Sequence, residues 1–235
     1  ASYSARWWLV LLLAVAGVLV GSRFYRRLMP HGMIRAVPGR PAALAARICA
    51  MAAFNGADFF IPLAARRFHH ATPTVQGAVV VGAATTWSAG QWIAVRRSQR
   101  PGPNRLVSTG FVLLALGALG SMTVLQRSLT LWVPFMAWNL GGLGMGLMFS
   151  PSSNVAMGSA AAADAGLAST QLNVSDVVGF SVMAAFGGAM VSFADQTSLH
   201  LATALGAVFI VASLLAALGA TFGHRVRLVD SAPDE

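Results

Sequence analysis

Lysine is absent from this 235-residue chain, acidic residues number only seven, and there is a single cysteine, Cys49. Each shortage excludes something. Charged residues make up 10% of the sequence, whereas a soluble globular domain carries about 25%. So few charges cannot cover a water-facing surface. A lone cysteine offers neither an internal disulfide nor a thiolate metal site, and Cys49, inside an apolar run, reads as a small buried hydrophobe. All 16 basic residues are Arg, which with the abundant Ala and Gly points to a GC-rich coding sequence. No nucleophile–base–orienter pattern, phosphate-cradling loop or zinc spacing occurs. The chain therefore does not read as an enzyme, and no cofactor or metal is expected. Signal-peptide features are missing too, and the opening Ala1-Ser-Tyr-Ser-Ala-Arg6 reads as the cut edge of something longer.

What is present is apolar. Hydrophobic residues make up 56% of the chain, and its formal net charge of +9 lies in short arginine clusters between apolar runs. That distribution argues against nucleic-acid binding and for a polytopic α-helical membrane protein. Seven candidate spans follow, at roughly 7–22, 42–65, 74–95, 105–126, 131–150, 166–193 and 198–222. Pro and Gly clusters mark the connections: Met29-Pro-His-Gly32, Pro38-Gly-Arg-Pro41, Ala71-Thr-Pro73, Pro101-Gly-Pro103 and Ser150-Pro-Ser-Ser-Asn154.

Arginine placement predicts orientation. With the 23–41 loop cytoplasmic, the inner side holds eleven arginines: 23, 26, 27, 35, 40, 96, 97, 100, 105, 225 and 227. The outer side holds only four, Arg6, Arg66, Arg67 and Arg127. This bias places the N-terminus outside and the C-terminus inside. Arg47, near the start of the second span, is expected to snorkel to the inner surface.

Two acids lie within spans. Ionised carboxylates at membrane depth cost a few kcal/mol and persist mainly where they face a bundle interior or aqueous cavity. Asp58 shares a helix face with Asn55, three residues earlier, and could exchange a proton as a cavity alternates. A structural pairing with Arg66 or Arg67 is the plainer reading, weakened by a separation of roughly 12 Å along the helix. Asp176 shares a stripe with Asn173 and Ser169 and could relay protons, contact a solute or bond a neighbouring helix. Trp138 and Asn139 could line a site, the indole offering a face to flat or cationic solutes; packing is the alternative. Gly142 and Gly146 permit close helix approach. His69 and His70 are expected to be solvated, with no acidic partner to build a metal site.

Several stretches together resemble the C-terminal half of a major facilitator superfamily transporter, specifically a bacterial multidrug-efflux-like permease. These are Ala53-Phe-Asn-Gly-Ala-Asp-Phe-Phe-Ile-Pro-Leu63, Gly82-Ala-Ala-Thr-Thr-Trp-Ser-Ala-Gly-Gln-Trp92 followed by Arg96-Arg-Ser-Gln-Arg100, Gly141-Gly-Leu-Gly-Met-Gly146 with Ser150-Pro151, and Ala168-Ser-Thr-Gln-Leu-Asn-Val-Ser-Asp-Val-Val-Gly179. The arginine loop after Gly90 is a degraded relative of the family's Gly-x-x-x-Asp-Arg-x-Gly-Arg signature, lacking its Asp.

The resemblance implies an all-α fold with 1–22 as the last helix of a preceding bundle. A basic cytoplasmic linker would cover 23–41, a six-helix C-terminal bundle 42–222, and a cytoplasmic tail 223–235. A faint three-plus-three symmetry, with Asn55/Asp58 and Asn139 in corresponding spans, agrees with inverted repeats. The implied activity is half of a secondary transporter in the bacterial inner membrane. It would export small amphipathic or cationic compounds by proton antiport, with the missing N-terminal bundle as partner and the bilayer as surroundings. Asp58 and Asp176 would couple protons; Asn55, Trp138, Asn139 and Asn173 would contact solute. The alternative is a non-transporting membrane scaffold or regulatory subunit built on a half-transporter.

Overall fold

The computed structural model describes residues 17, 20–97, 102–158, 164–197 and 199–228. Among them every regular element is helical. Residues 20–28 form α1. There follow α2 (Arg40–Asp58), α3 (Phe60–His69), α4 (Pro73–Arg97) and α5 (Pro103–Ser121), the last continued by a 3₁₀ turn over Met122–Leu125. Then come α6 (Trp132–Gly158), α7 (Ala165–Gln196) and α8 (Leu201–Gly223). The expected first span lies almost wholly outside the described residues, as do residues 98–101 of the arginine loop.

Five of these segments are long and apolar enough to cross a membrane: Arg40–His69, Pro73–Arg97, Pro103–Leu125, Ala165–Gln196 and Leu201–Gly223. The chain is thus an all-α, multi-pass membrane protein. Helix α6, with 27 residues and no charged side chain, is also long enough. Its glycines and tryptophans dilute its hydropathy.

Local chemistry sets the boundaries. Proline occupies the first turn of α2, α4 and α5, where its missing N–H costs nothing. The second expected span is one membrane-length segment broken at Phe59. Pro62 cannot donate to the Asp58 carbonyl four residues back, so α2 stops there and α3 restarts. His70, in the left-handed region at φ 53°, ends α3 by donating its N–H to Ala65 O. The Ser150–Asn154 cluster, expected to be a loop, is instead helical, and α6 runs through Pro151 to Gly158. Within an apolar bundle a helix can run through a proline when packing by its neighbours and local side-chain bonds hold it. Here Ser152 and Ser153 both donate to Phe149 O, at 2.9 and 3.0 Å, adding bonds in the turn that contains Pro151, whose own missing N–H leaves the Leu147 carbonyl without its usual donor.

The helices interleave. Taking α2–α5 as one unit and α6–α8 as another, the main packing runs between units. Helix α2 lies against α7 and α8, α6 against α4 and α5, α5 against α8, and α2 meets α6 at the centre. Glycines make the closest crossings. A Cβ at Gly146 would strike the Trp87 carbonyl and one at Gly90 the Leu143 carbonyl, so α4 and α6 touch backbone to backbone. Of the five segments long and apolar enough to span a membrane, α4 and α7 leave the largest share of their surface uncovered.

Candidate functional site

The central pair α2 and α6 carries two polar sites on one stripe. Arg47, Phe54 and Asp58 stand at i, i+7 and i+11 of α2, a single helix face. Trp138, Met145 and Phe149 repeat that spacing on α6. Over eleven residues the two levels lie about 16 Å apart along α2.

At the first level Asp58 sits at the helix break, half-buried. The fully buried Trp138 donates its Nε1–H to Asp58 Oδ1 at 2.9 Å. The carboxylate thus meets α6, while Arg66 and Arg67, its expected partners, are exposed. The Phe54 ring packs on Trp138 with centroids 5.0 Å apart. Asn55 is buried, but its amide turns back to donate to Met51 O at 2.7 Å. Asn139 does likewise, donating to Phe135 O at 2.8 Å while its side chain lies over Gly82 of α4.

At the second level Arg47 does not snorkel. Only 3% exposed, it is held inside the bundle by Asp176 of α7. Arg47 Nε donates to Asp176 Oδ1 at 2.8 Å and Nη2 donates to Oδ2, a two-pronged pairing that matches the planar guanidinium to the carboxylate. Its remaining contacts are on α6: Nη1 donates to Ser153 Oγ at 3.3 Å and Phe149 O at 3.4 Å, and the guanidinium stacks 3.5 Å above the Phe149 ring centroid. One arginine thus joins three helices. Asn173, on the same helix as Asp176, points elsewhere: it is exposed and donates to Ser169 O at 3.1 Å.

Aromatic rings connect the levels. Phe54 meets Trp138 at 5.0 Å and Trp87 of α4 at 5.1 Å, and Trp87 meets Phe149 at 5.3 Å. The Trp87 Nε1–H is buried without a partner among the described residues. Of the residues expected to act, Asp58 and Trp138 come together and Asp176 comes to Arg47, whereas Asn55, Asn139 and Asn173 bond their own helices. Arg47, Phe54, Trp87 and Phe149 were not singled out for a site; the shared 7 + 4 spacing on α2 and α6 was the available signal. His69, expected to be solvated, has its Nε2 2.9 Å from Val124 O. Among the described residues no three His, Cys, Asp or Glu side chains converge as a metal site would require. Neither the protein-family models nor the curated proteins include a match to this chain.

Proposed function

We propose that this chain is the C-terminal half of a major-facilitator-type secondary transporter in the bacterial inner membrane. In this reading it works by proton antiport, exporting small amphipathic or cationic compounds. The observation that carries the reading is the Asp58–Trp138 hydrogen bond at the break between α2 and α3. A carboxyl group at an interruption of a spanning segment can hold either a proton or a cationic solute. Discontinuous helices of this kind form midplane sites in secondary transporters. Interleaved packing of two three-span units supports the same reading, because it gives α2 and α6 equivalent central positions. The uncovered faces of α4 and α7, the latter bearing Ser169 and Asn173, would meet the N-terminal bundle.

In the proposed cycle, deprotonated Asp58 accepts the Trp138 N–H and offers its second oxygen to a cation. Proton uptake removes that charge and releases the solute. Asp176 enters with Arg47 as counter-ion: a proton on Asp176 would weaken its pairing with Arg47 and loosen α2 from α7. The test is reconstitution of the encoded protein, with both bundles, in vesicles carrying a pH gradient and a fluorescent lipophilic cation. Asp58→Asn, which mimics the protonated carboxyl, should abolish proton-linked movement and weaken binding of the dye. Undiminished proton-driven transport by that variant would end the proposal.

A further inference from the structure

A second site lies at the opposite end of α2 from Asp58. A cavity of about 620 Å³ opens between α1, the following loop, and the ends of α2 and α8. Its floor is apolar, with Met29, Met33, Ile48 and Phe222, and its rim bears Arg26, His31 and Arg35, all exposed. No acidic residue occurs anywhere before Asp58 in the sequence, and Asp176 is committed to Arg47. Beside this basic rim Ile34 is 97% exposed and Phe24 65% exposed. Large apolar side chains alternating with arginines suit an interface with lipid, where the chain is greasy and the headgroup charged.

The walls are held in place. Arg225 Nη1 donates to Arg35 O at 2.6 Å, Gly39 N–H to Arg225 O at 3.1 Å, and Gln171 Nε2 to Leu28 O at 2.5 Å. Tyr25 O–H donates to Met33 Sδ at 3.3 Å, and burial pushes the Tyr25 phenol above its ordinary value, so it remains a donor.

We propose that this cavity holds one anionic phospholipid of the inner leaflet, its phosphate on Arg26, His31 and Arg35 and an acyl chain along Met33, Ile48 and Phe222. Charge complementarity selects the headgroup, and the apolar floor requires the chain. The proposal uses the inward placement of the 23–41 loop and stands whether or not the protein transports.

Native mass spectrometry of the full chain, from micelles with equal phosphatidylglycerol and phosphatidylcholine, tests it. Retention should favour phosphatidylglycerol. In Arg26→Gln/Arg35→Gln it should fall on the order of tenfold, since each basic residue near an anionic surface contributes about one factor of several. Arg26→Lys/Arg35→Lys should keep most of it, and Arg66→Gln/Arg67→Gln, at the other end of the bundle, should keep all of it. Ile48→Trp, which fills the floor, should lower retention of both lipids; melting in lipid-free detergent checks that each variant is folded. Equal retention of the two lipids, or an unaffected glutamine variant, overturns the site. Displacement by millimolar inorganic phosphate, or no effect of Ile48→Trp, overturns a lipid in favour of a simple anion.

Discussion

Removing the Asp176 carboxylate should leave a cation stranded inside the bundle. Asp176→Asn keeps the shape of the side chain but leaves Arg47, 3% exposed, with the Phe149 ring, the Phe149 carbonyl and Ser153 Oγ as its remaining partners. Breaking one side of a buried ion pair typically costs about 3–5 kcal/mol. The asparagine oxygen still accepts one N–H, and Asp176 is 18% exposed, so about 2–4 kcal/mol is expected here. Arg47→Met should cost a similar amount, because it leaves the carboxylate unpaired. Removing both charges, as Arg47→Met/Asp176→Asn, should bring the loss to about 1 kcal/mol, since neither charge is then left buried without its partner. The coupling energy of the cycle is then about 3–7 kcal/mol in magnitude. Equilibrium unfolding in mixed detergent micelles measures all four corners. Single losses under about 0.5 kcal/mol, or a double variant as damaged as the sum of the singles, would refute the pairing as the reason Arg47 is buried.

Two further outcomes follow from packing. Gly146→Ala should destabilise by about 1–3 kcal/mol, because the new methyl meets the Trp87 backbone and must push α4 from α6. Gly188→Ala, with nothing within 4 Å of the added Cβ, should be neutral or stabilise by about 0.4–1 kcal/mol. Thermal melting of the two variants side by side reads the contrast. Arg225→Ala deletes the donors to Arg35 O and Ala36 O. It should speed amide exchange across residues 29–39 while leaving α2 protected, and exchange mass spectrometry checks this.

Apolar runs located the helices well because membrane spanning is a local, length-limited property. The helix ends at Pro41, Pro73 and Pro103 were likewise legible from proline's missing donor. Ser150–Asn154 misled because such a cluster occurs both in loops and in helices that run through a proline, and the packing of α6 among its neighbours decides which. Arg47 misled because its partner stands 129 residues away in sequence. Near a helix end an isolated arginine reads as a snorkeller, and nothing local announces Asp176. Asp58 and Trp138 were each noticeable as polar or aromatic intrusions, but the bond between them depends on how α2 and α6 cross. The three asparagines illustrate a different limit: an amide can satisfy itself on its own helix, so polarity within a span does not establish that it faces a cavity.

The bond between Arg47 and Asp176 also bears on how the protein is made. Translation at 5–20 residues per second puts on the order of ten seconds between the two residues leaving the ribosome. Throughout that interval the newly inserted α2 carries an unneutralised guanidinium. Its first resting position should therefore be shallow, with residue 47 drawn toward lipid phosphates, and it should sink to its final depth only when α7 arrives. Insertion of this chain should then run in two stages, with the nascent helix waiting at the surface for its counter-charge.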